Sequence, residues 1–345
     1  MKTIFVIDDS DVNLIKAKRA LEGQFHVRTM PSAIKMLEII TKIKPDLILL
    51  DIEMPDMNGF EAILKLKEND STKNIPVIFL TASTDDDAEA RGLELGAVDF
   101  VTKPFSTSVL FNRITHHLHI EALLKKRTKR LERLQDGLLD VIVDMLESRD
   151  KVTGMHIERT SQYIKILMET MVINGVYADE MKGWDLDVVV SSARLHDVGK
   201  IAVSDLVLKK PARLTPEEYE EIKQHAPEGE RIVERLIAKT GEENFLSHAR
   251  LFAGYHHEKW DGSGYPRGLA GEAIPLQGRI MAVADVYDAL VSTRPYKDPF
   301  TREKAEEIIT EEAGRHFDPT IVDVFVTVKD LFAAVPFKHE EGIVG

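Results

Sequence analysis

Residues 46–56 read Asp46-Leu47-Ile48-Leu49-Leu50-Asp51-Ile52-Glu53-Met54-Pro55-Asp56. The apolar run from Asp46 to Leu50 has the length and continuity of a strand buried on both faces of a parallel sheet. Similar runs occur at Thr3–Ile7, Val77–Leu80 and Val98–Val101, with a weaker one at Phe25–Thr29. Helical patterns lie between them, at about 11–22, 33–43, 59–68 and 86–95. Strands alternating with helices predict a doubly wound α/β domain with a five-stranded parallel sheet, over residues 1–120.

From Ser106 onward the pattern becomes helical. Ile120, Leu124, Leu131, Leu134, Leu138, Val141 and Met145 recur on alternating steps of three and four, with Arg127 in the one polar place. That heptad seam predicts a helical linker over 106–148, overlapping the last helix of the first domain and pairing with a second copy as a coiled coil. The alternative is one amphipathic helix docked on its own domain. Residues 137–335 read as an all-α domain with one Gly-rich loop, and 336–345 as a tail. Within it, Thr215-Pro216-Glu217-Glu218 has the form of a helix start with a capping box. The apolar helical run Val188–Leu195 leads into His196-Asp197.

Composition narrows the function. The 345 residues carry a net charge of −13, which argues against general binding to DNA or RNA. No run of about 18 apolar residues suggests a membrane span, and the first residues read as a strand rather than an export signal, so the cytoplasm is the expected location. With no cysteine, any metal must sit on His, Asp and Glu.

In the first domain each acidic or polar feature follows a strand. Asp8 and Asp9 end the first, Asp51 the third, Thr81 the fourth, and Lys103-Pro104 follows the fifth. Such sheets bind ligands at the carboxyl ends of their strands. Three gathered carboxylates call for a hard cation such as Mg²⁺, and a lysine and a hydroxyl beside them can hold a phosphoryl group. Asp51 can then act as a carboxylate nucleophile. These pieces, with Asn13, Gly59 and Phe105, resemble the response-regulator receiver family, whose fold is flavodoxin-like. The resemblance implies that Asp51 is the phosphoacceptor, phosphorylated from a cognate histidine kinase. It implies that Asp8, Asp9 and Asp51 hold Mg²⁺ with help from the Glu53 backbone carbonyl. Thr81, Phe100 and Lys103 would be the switch residues, and Phe100, at the aromatic position, has no hydroxyl to donate.

The second half contains the series His156, His196-Asp197, His225, His256-His257 and Asp285. Imidazoles and carboxylates suit borderline metals such as Fe, Mn, Ni or Zn. One carboxylate has two oxygens and can bridge two metals; Lys200, about one turn past Asp197, could meet a phosphate there. A metal pair about 3.5–4 Å apart supports phosphodiester hydrolysis without a protein nucleophile. Isolated histidines such as His26, His248 and His339 read as ordinary surface or core residues.

The loop His256-His257-Glu258-Lys259-Trp260-Asp261-Gly262-Ser263-Gly264-Tyr265-Pro266 has glycines that permit close backbone approach to a ligand. With His196-Asp197-Val198-Gly199-Lys200 and Arg294-Pro295-Tyr296-Lys297 it resembles the HD-GYP family of cyclic di-GMP phosphodiesterases. Carried over to these positions, His156, His196, Asp197 and Asp285 would hold one metal. Asp197 would bridge to a second held by His225, His256 and His257. Asp197 and Lys200 would be catalytic; Lys200, Tyr265, Arg294 and Lys297 would contact substrate. Asp288 would support the ligands without being one, and His316-Phe317-Asp318-Pro319 would be structural. Some family members carry a Glu four residues before the first metal-binding His, which helps hold a third metal; here Val152 stands there, so two metals are expected, iron or manganese first, nickel or zinc as alternatives.

The resemblance thus implies a response regulator whose output is metal-dependent hydrolysis of cyclic di-GMP to linear pGpG, with or without a further step to GMP. The alternatives are a hydrolase of another cyclic dinucleotide and a sensor that binds cyclic di-GMP without cleaving it.

Overall fold

The computed structural model describes residues 1–82, 86–149, 156–293 and 298–336, and the chain divides into two compact units, Met1–Arg133 and Leu134–Gly345. In the first unit β1 (Thr3–Ile7), β2 (His26–Met30), β3 (Leu47–Asp51), β4 (Val77–Thr81) and β5 (Asp99–Thr102) form one parallel sheet in the order β2-β1-β3-β4-β5. Between them lie α1 (Asp11–Leu21), α2 (Ala33–Ile40), α3 (Gly59–Glu68) and α4 (Asp86–Glu94), and α5 (Thr107–Arg149) follows.

The apolar runs become strands because both sheet faces are covered. Phe5, Ile48, Leu50 and Phe79 pack into one core, while Ile4, Val6, Leu49 and Leu80 pack into the other with Leu110 and Ile114 of α5. Fully burying such a side chain contributes about 1.5–3 kcal/mol. Every strand expected from sequence is present, β1 with the expected ends and the others shifted by one residue at one or both ends. Asp51 belongs to β3 because it is buried and pairs with Leu80, whereas Val98 is 39% exposed and stays outside β5. α2 ends at Ile40, beyond which the Lys42 amide makes a tighter three-residue bond to Ile39 O.

The second unit is helical. Its helices are α6 (His156–Asn174), α7 (Leu186–Ser192), α8 (Asp205–Leu208), α9 (Pro216–Lys223), α10 (His225–Thr240), α11 (Asn244–Tyr255), α12 (Leu276–Val291), α13 (Arg302–Glu311) and α14 (Pro319–Ala334). The core runs through α6, α12 and α14, where Tyr163, Tyr287, Phe325 and Phe332 are buried together. Thr215 and Glu218 make the expected capping box at the start of α9. The run leading to His196 is a helix only to Ser192; Ala193–Leu195 tightens to a 3₁₀ turn, and a second one follows at Val198–Ala202. His196-Asp197 therefore sits between two tight turns, not on a regular helix end.

In its last turns α5 buries Leu139 and Leu146 against Leu195, Val198 and Ala249. All seven apolar residues of the heptad seam, Ile120 through Met145, are exposed.

Candidate metal centre and receiver site

At the strand ends of the first unit, Asp8, Asp9 and Asp51 bring carboxylate oxygens within 4.8 Å of one another. Asp8 and Asp51 are buried, and the Lys103 Nζ donates to Asp8 Oδ2 at 2.9 Å and lies 2.7 Å from Asp51 Oδ2. Burial pushes the Asp51 carboxyl above its usual range, against the pull of Lys103. Burial opposes the Lys103 charge, yet its bonds to Asp51 and Asp8 carry its pKa upward. Asn13 Nδ2 donates to Asp8, and the Glu53 amide points at Asp51 Oδ1 at 3.4 Å. Gly59 is required here, since a Cβ would stand 2.4 Å from Asp51 O. Thr81 is buried at the end of β4, and Phe100 is half-buried beside it.

In the second unit the seven residues of the His/Asp series converge as two trios about Asp197. His225, His256 and His257 form one, and His156, His196 and Asp285 the other, each with ligand atoms within 4.8 Å of one another. Asp197 lies between them. Its Oδ1 is 3.5 Å from His225 Nε2 and 3.8 Å from His256 Nε2, while its Oδ2 is 3.3 Å from His196 Nε2. One oxygen thus faces each trio.

The imidazoles are oriented by their other nitrogen. His225 Nδ1 donates to Ile222 O at 2.6 Å, His196 Nδ1 to Ala193 O at 3.0 Å, and His256 Nδ1 to Phe252 O at 2.9 Å. His156 Nδ1 donates to Asp288 Oδ2 at 2.8 Å. A proton held on Nδ1 leaves a lone pair on Nε2, and these lone pairs point inward. His225 Nε2 and His256 Nε2 face each other at 3.2 Å with no proton to share. His196 Nε2 is buried without a hydrogen-bond partner among the described residues. Burial pushes His256 down to about 3 and His257 well below the usual imidazole value, so both are neutral. Lone pairs with no donor fit metal ions, and the His and Asp donor set suits a borderline metal.

Burial opposes the Asp197 charge, but the Lys200 ammonium holds its carboxyl well below the usual range. Lys200 Nζ lies 2.8 Å from Asp197 Oδ2. Tyr265 sets its ring 4.7 Å from that of His257. Arg294, Lys297 and Val152 lie outside the described residues.

The backbone that delivers these groups depends on two glycines. A Cβ on Gly199 would meet His225 O at 1.9 Å, so the turn after Asp197 can seat against α10 only with glycine there. A Cβ on Gly264 would meet Lys259 N at 2.3 Å, where the loop folds back and Tyr265 N donates to His257 O.

Several residues support the site without being ligands, as was expected of Asp288. Buried Glu258 accepts from the amides of Arg267 and Leu269 and ties the loop together, while Arg267 pairs with Glu230. Arg159 clamps Asp288 through Nε at 2.6 Å and Nη2 at 2.8 Å. Arg149, the last residue of α5, donates to Ile201 O, Val203 O and Asp205 Oδ1, gripping the turn that carries Lys200. Asp318 caps α14 and accepts from Arg279 and Tyr177, a structural role.

Residues 4–115 match the response regulator receiver domain, and residues 140–321 match the HD domain. A Vibrio cholerae protein named "Probable cyclic di-GMP phosphodiesterase" is 38% identical, over 98% of this chain and 80% of its own length. The "Cyclic di-GMP phosphodiesterase response regulator RpfG" of Xanthomonas campestris pv. campestris is 37% identical, over 81% of this chain and 75% of its own. A "3'3'-cGAMP-specific phosphodiesterase 2" of Vibrio cholerae is 37% identical, over 56% of this chain and 35% of its own. Among the described residues no helix is long and apolar enough to cross a membrane. With both domains matched in order and relatives alike along most of their length, this chain belongs to the response regulators that join a receiver domain to a metal-dependent HD-domain phosphodiesterase.

Proposed function

We propose that this chain hydrolyses cyclic di-GMP to linear pGpG under the control of phosphorylation at Asp51. The observation that carries the chemistry is the pair of trios whose lone pairs converge on either side of Asp197. The substrate follows from the relatives named as cyclic di-GMP phosphodiesterases over most of this chain. Two metals, iron or manganese, are held in this reading by His156, His196, Asp285, His225, His256 and His257, with Asp197 shared. Bound metal ions supply Lewis-acid polarisation and a deprotonated water at neutral pH. Asp197 keeps the two halves of the site in register through its two oxygens. Lys200 sets an ammonium where negative charge grows on the phosphoryl oxygens. Tyr265, Arg294 and Lys297 are assigned to substrate.

In the receiver, Asp8, Asp9 and Asp51 hold Mg²⁺ with the Glu53 carbonyl, and a histidine kinase is the phosphodonor. Phosphorylation adds about −1.5 to −2 charges, which Lys103 and Mg²⁺ balance while Thr81 and Phe100 respond. The exposed heptad seam on α5 is assigned to pairing with a second copy.

The relative named for 3'3'-cGAMP favours a second reading, hydrolysis of that mixed dinucleotide. Turnover of both compounds by metal-loaded protein tests the assignment. Cyclic di-GMP should be opened with the higher kcat/KM; a clear preference for the mixed dinucleotide, or no cleavage of either, would overturn it.

A further inference from the structure

Tyr219 and Lys223 stand four residues apart on one face of α9. Lys223 Nζ lies 4.8 Å from the centroid of the Tyr219 ring and 5.6 Å from that of Tyr265. The Tyr265 ring is in turn 4.7 Å from His257 and 6.5 Å from His225. A continuous series of groups therefore leads outward from the histidine trio: His257, Tyr265, Lys223, Tyr219.

The outermost member has no packing duty that would account for it. α9 buries none of its residues, and Tyr219 is 47% exposed. Lys223 pairs with Glu220 at 2.6 Å, but the Glu220 side chain is 65% exposed. With Lys223 25% and Glu220 65% exposed, a pair one turn apart and open to water on the Glu220 side yields to a stronger anion. What remains beside the metal trio is an aromatic face and an ammonium in contact with each other.

We propose that Tyr219 and Lys223, continuing from Tyr265, form the subsite for the half of the substrate that is not being cleaved. Tyr219 offers a stacking face to its purine, and Lys223 offers a point charge to its second phosphodiester. The inference rests on the cyclic dinucleotide reading above. Stacking tolerates any base, so this subsite does not choose between guanine and adenine.

The test uses full-length, metal-loaded protein and two substrates. One is cyclic di-GMP; the other is bis(p-nitrophenyl) phosphate, which has one phosphodiester and no base. In Tyr219→Ala and in Lys223→Gln, the ratio of kcat/KM for cyclic di-GMP over the small ester should fall about tenfold, chiefly through KM. Tyr219→Phe, which keeps the ring, should restore the ratio. Equal losses on both substrates would mean a structural role, and a ratio within twofold of wild type would mean no role; either overturns the proposal. Cyclic di-GMP is also measured as a competitor of the small ester, and its inhibition constant should rise about tenfold in both variants. A wild type that cleaves the ester but not cyclic di-GMP refutes the substrate assignment. The subsite then stands or falls on that inhibition constant alone.

Discussion

Replacing Asp288 with Asn separates two duties that one carboxylate performs. The Asp288 side chain is 1% exposed and accepts four hydrogen bonds: from His156 Nδ1, from Arg159 Nε and Nη2, and from Ser292 Oγ at 3.2 Å. Although burial opposes its ionisation, the bonds from His156 and Arg159 hold it below the usual carboxylate range. The amide keeps one acceptor oxygen and turns its NH₂ toward a donor. The buried Arg159 then loses the carboxylate it grips through Nε and Nη2, and breaking one partner of a buried ion pair costs about 3–5 kcal/mol. For a domain of about 200 residues, each kcal/mol lowers Tm by roughly 2–4 °C, so Tm should fall by at least about 6 °C. His156 also exchanges the carboxylate that fixes its tautomer for at most a neutral amide oxygen, and weakening such a partner lowers metal affinity about 10–100-fold. Calorimetric titration with Mn²⁺ should show one site weakened to that extent and the other, on His225, His256 and His257, little changed. Adding Arg159→Met should recover stability but not the weakened site. A metal affinity within twofold of wild type would show that Asp288 does not orient His156. An unchanged Tm would refute the ion-pair argument.

Gly199→Ala should abolish phosphodiesterase activity and cost more than about 2 kcal/mol in urea unfolding, because its Cβ would stand 1.9 Å from His225 O; wild-type stability would show that the turn can move away. Beryllofluoride at Asp51 should raise the phosphodiesterase rate, since the turn carrying Lys200 is gripped by Arg149 at the end of α5; identical rates at full occupancy would refute the coupling. Leu131→Asp with Leu134→Asp places charges on the seam, and burial without partners costs several kcal/mol. The dimer should dissociate in sedimentation velocity, and a wild type that is monomeric at every concentration would end this idea.

The sheet was legible because its strands are buried on both faces and so leave unbroken apolar runs, such as Leu47–Leu50. Their ends were less so: whether Asp51 or Val98 joins a strand depends on pairing with Leu80 or on exposure, neither of which a single segment reveals. A His-Asp pair alone is common by chance; the His/Asp series stood out because it occurs together with the His256–Pro266 loop and the His196–Lys200 stretch. Asp288 was named as a support, but the partners of the supports were not legible, because each joins distant segments. Asp288 meets His156 across 132 positions and Arg159 across 129. Arg149 reaches Asp205 across 56, and Glu258 looks like any loop acid until its two amide donors are seen. Nothing in the sequence links Tyr219 and Lys223 to Tyr265; only the fold brings the three together.

The most direct test is metal content measured together with turnover in wild type and Asp197→Ala. Asp197 sends one oxygen toward each trio, so its loss should empty or weaken both halves at once. The account predicts two equivalents of iron or manganese and conversion of cyclic di-GMP to linear pGpG in the wild type. In the variant it predicts fewer than one equivalent and no detectable conversion. Undiminished turnover in Asp197→Ala, or three equivalents of metal in the wild-type HD-domain site, would contradict it.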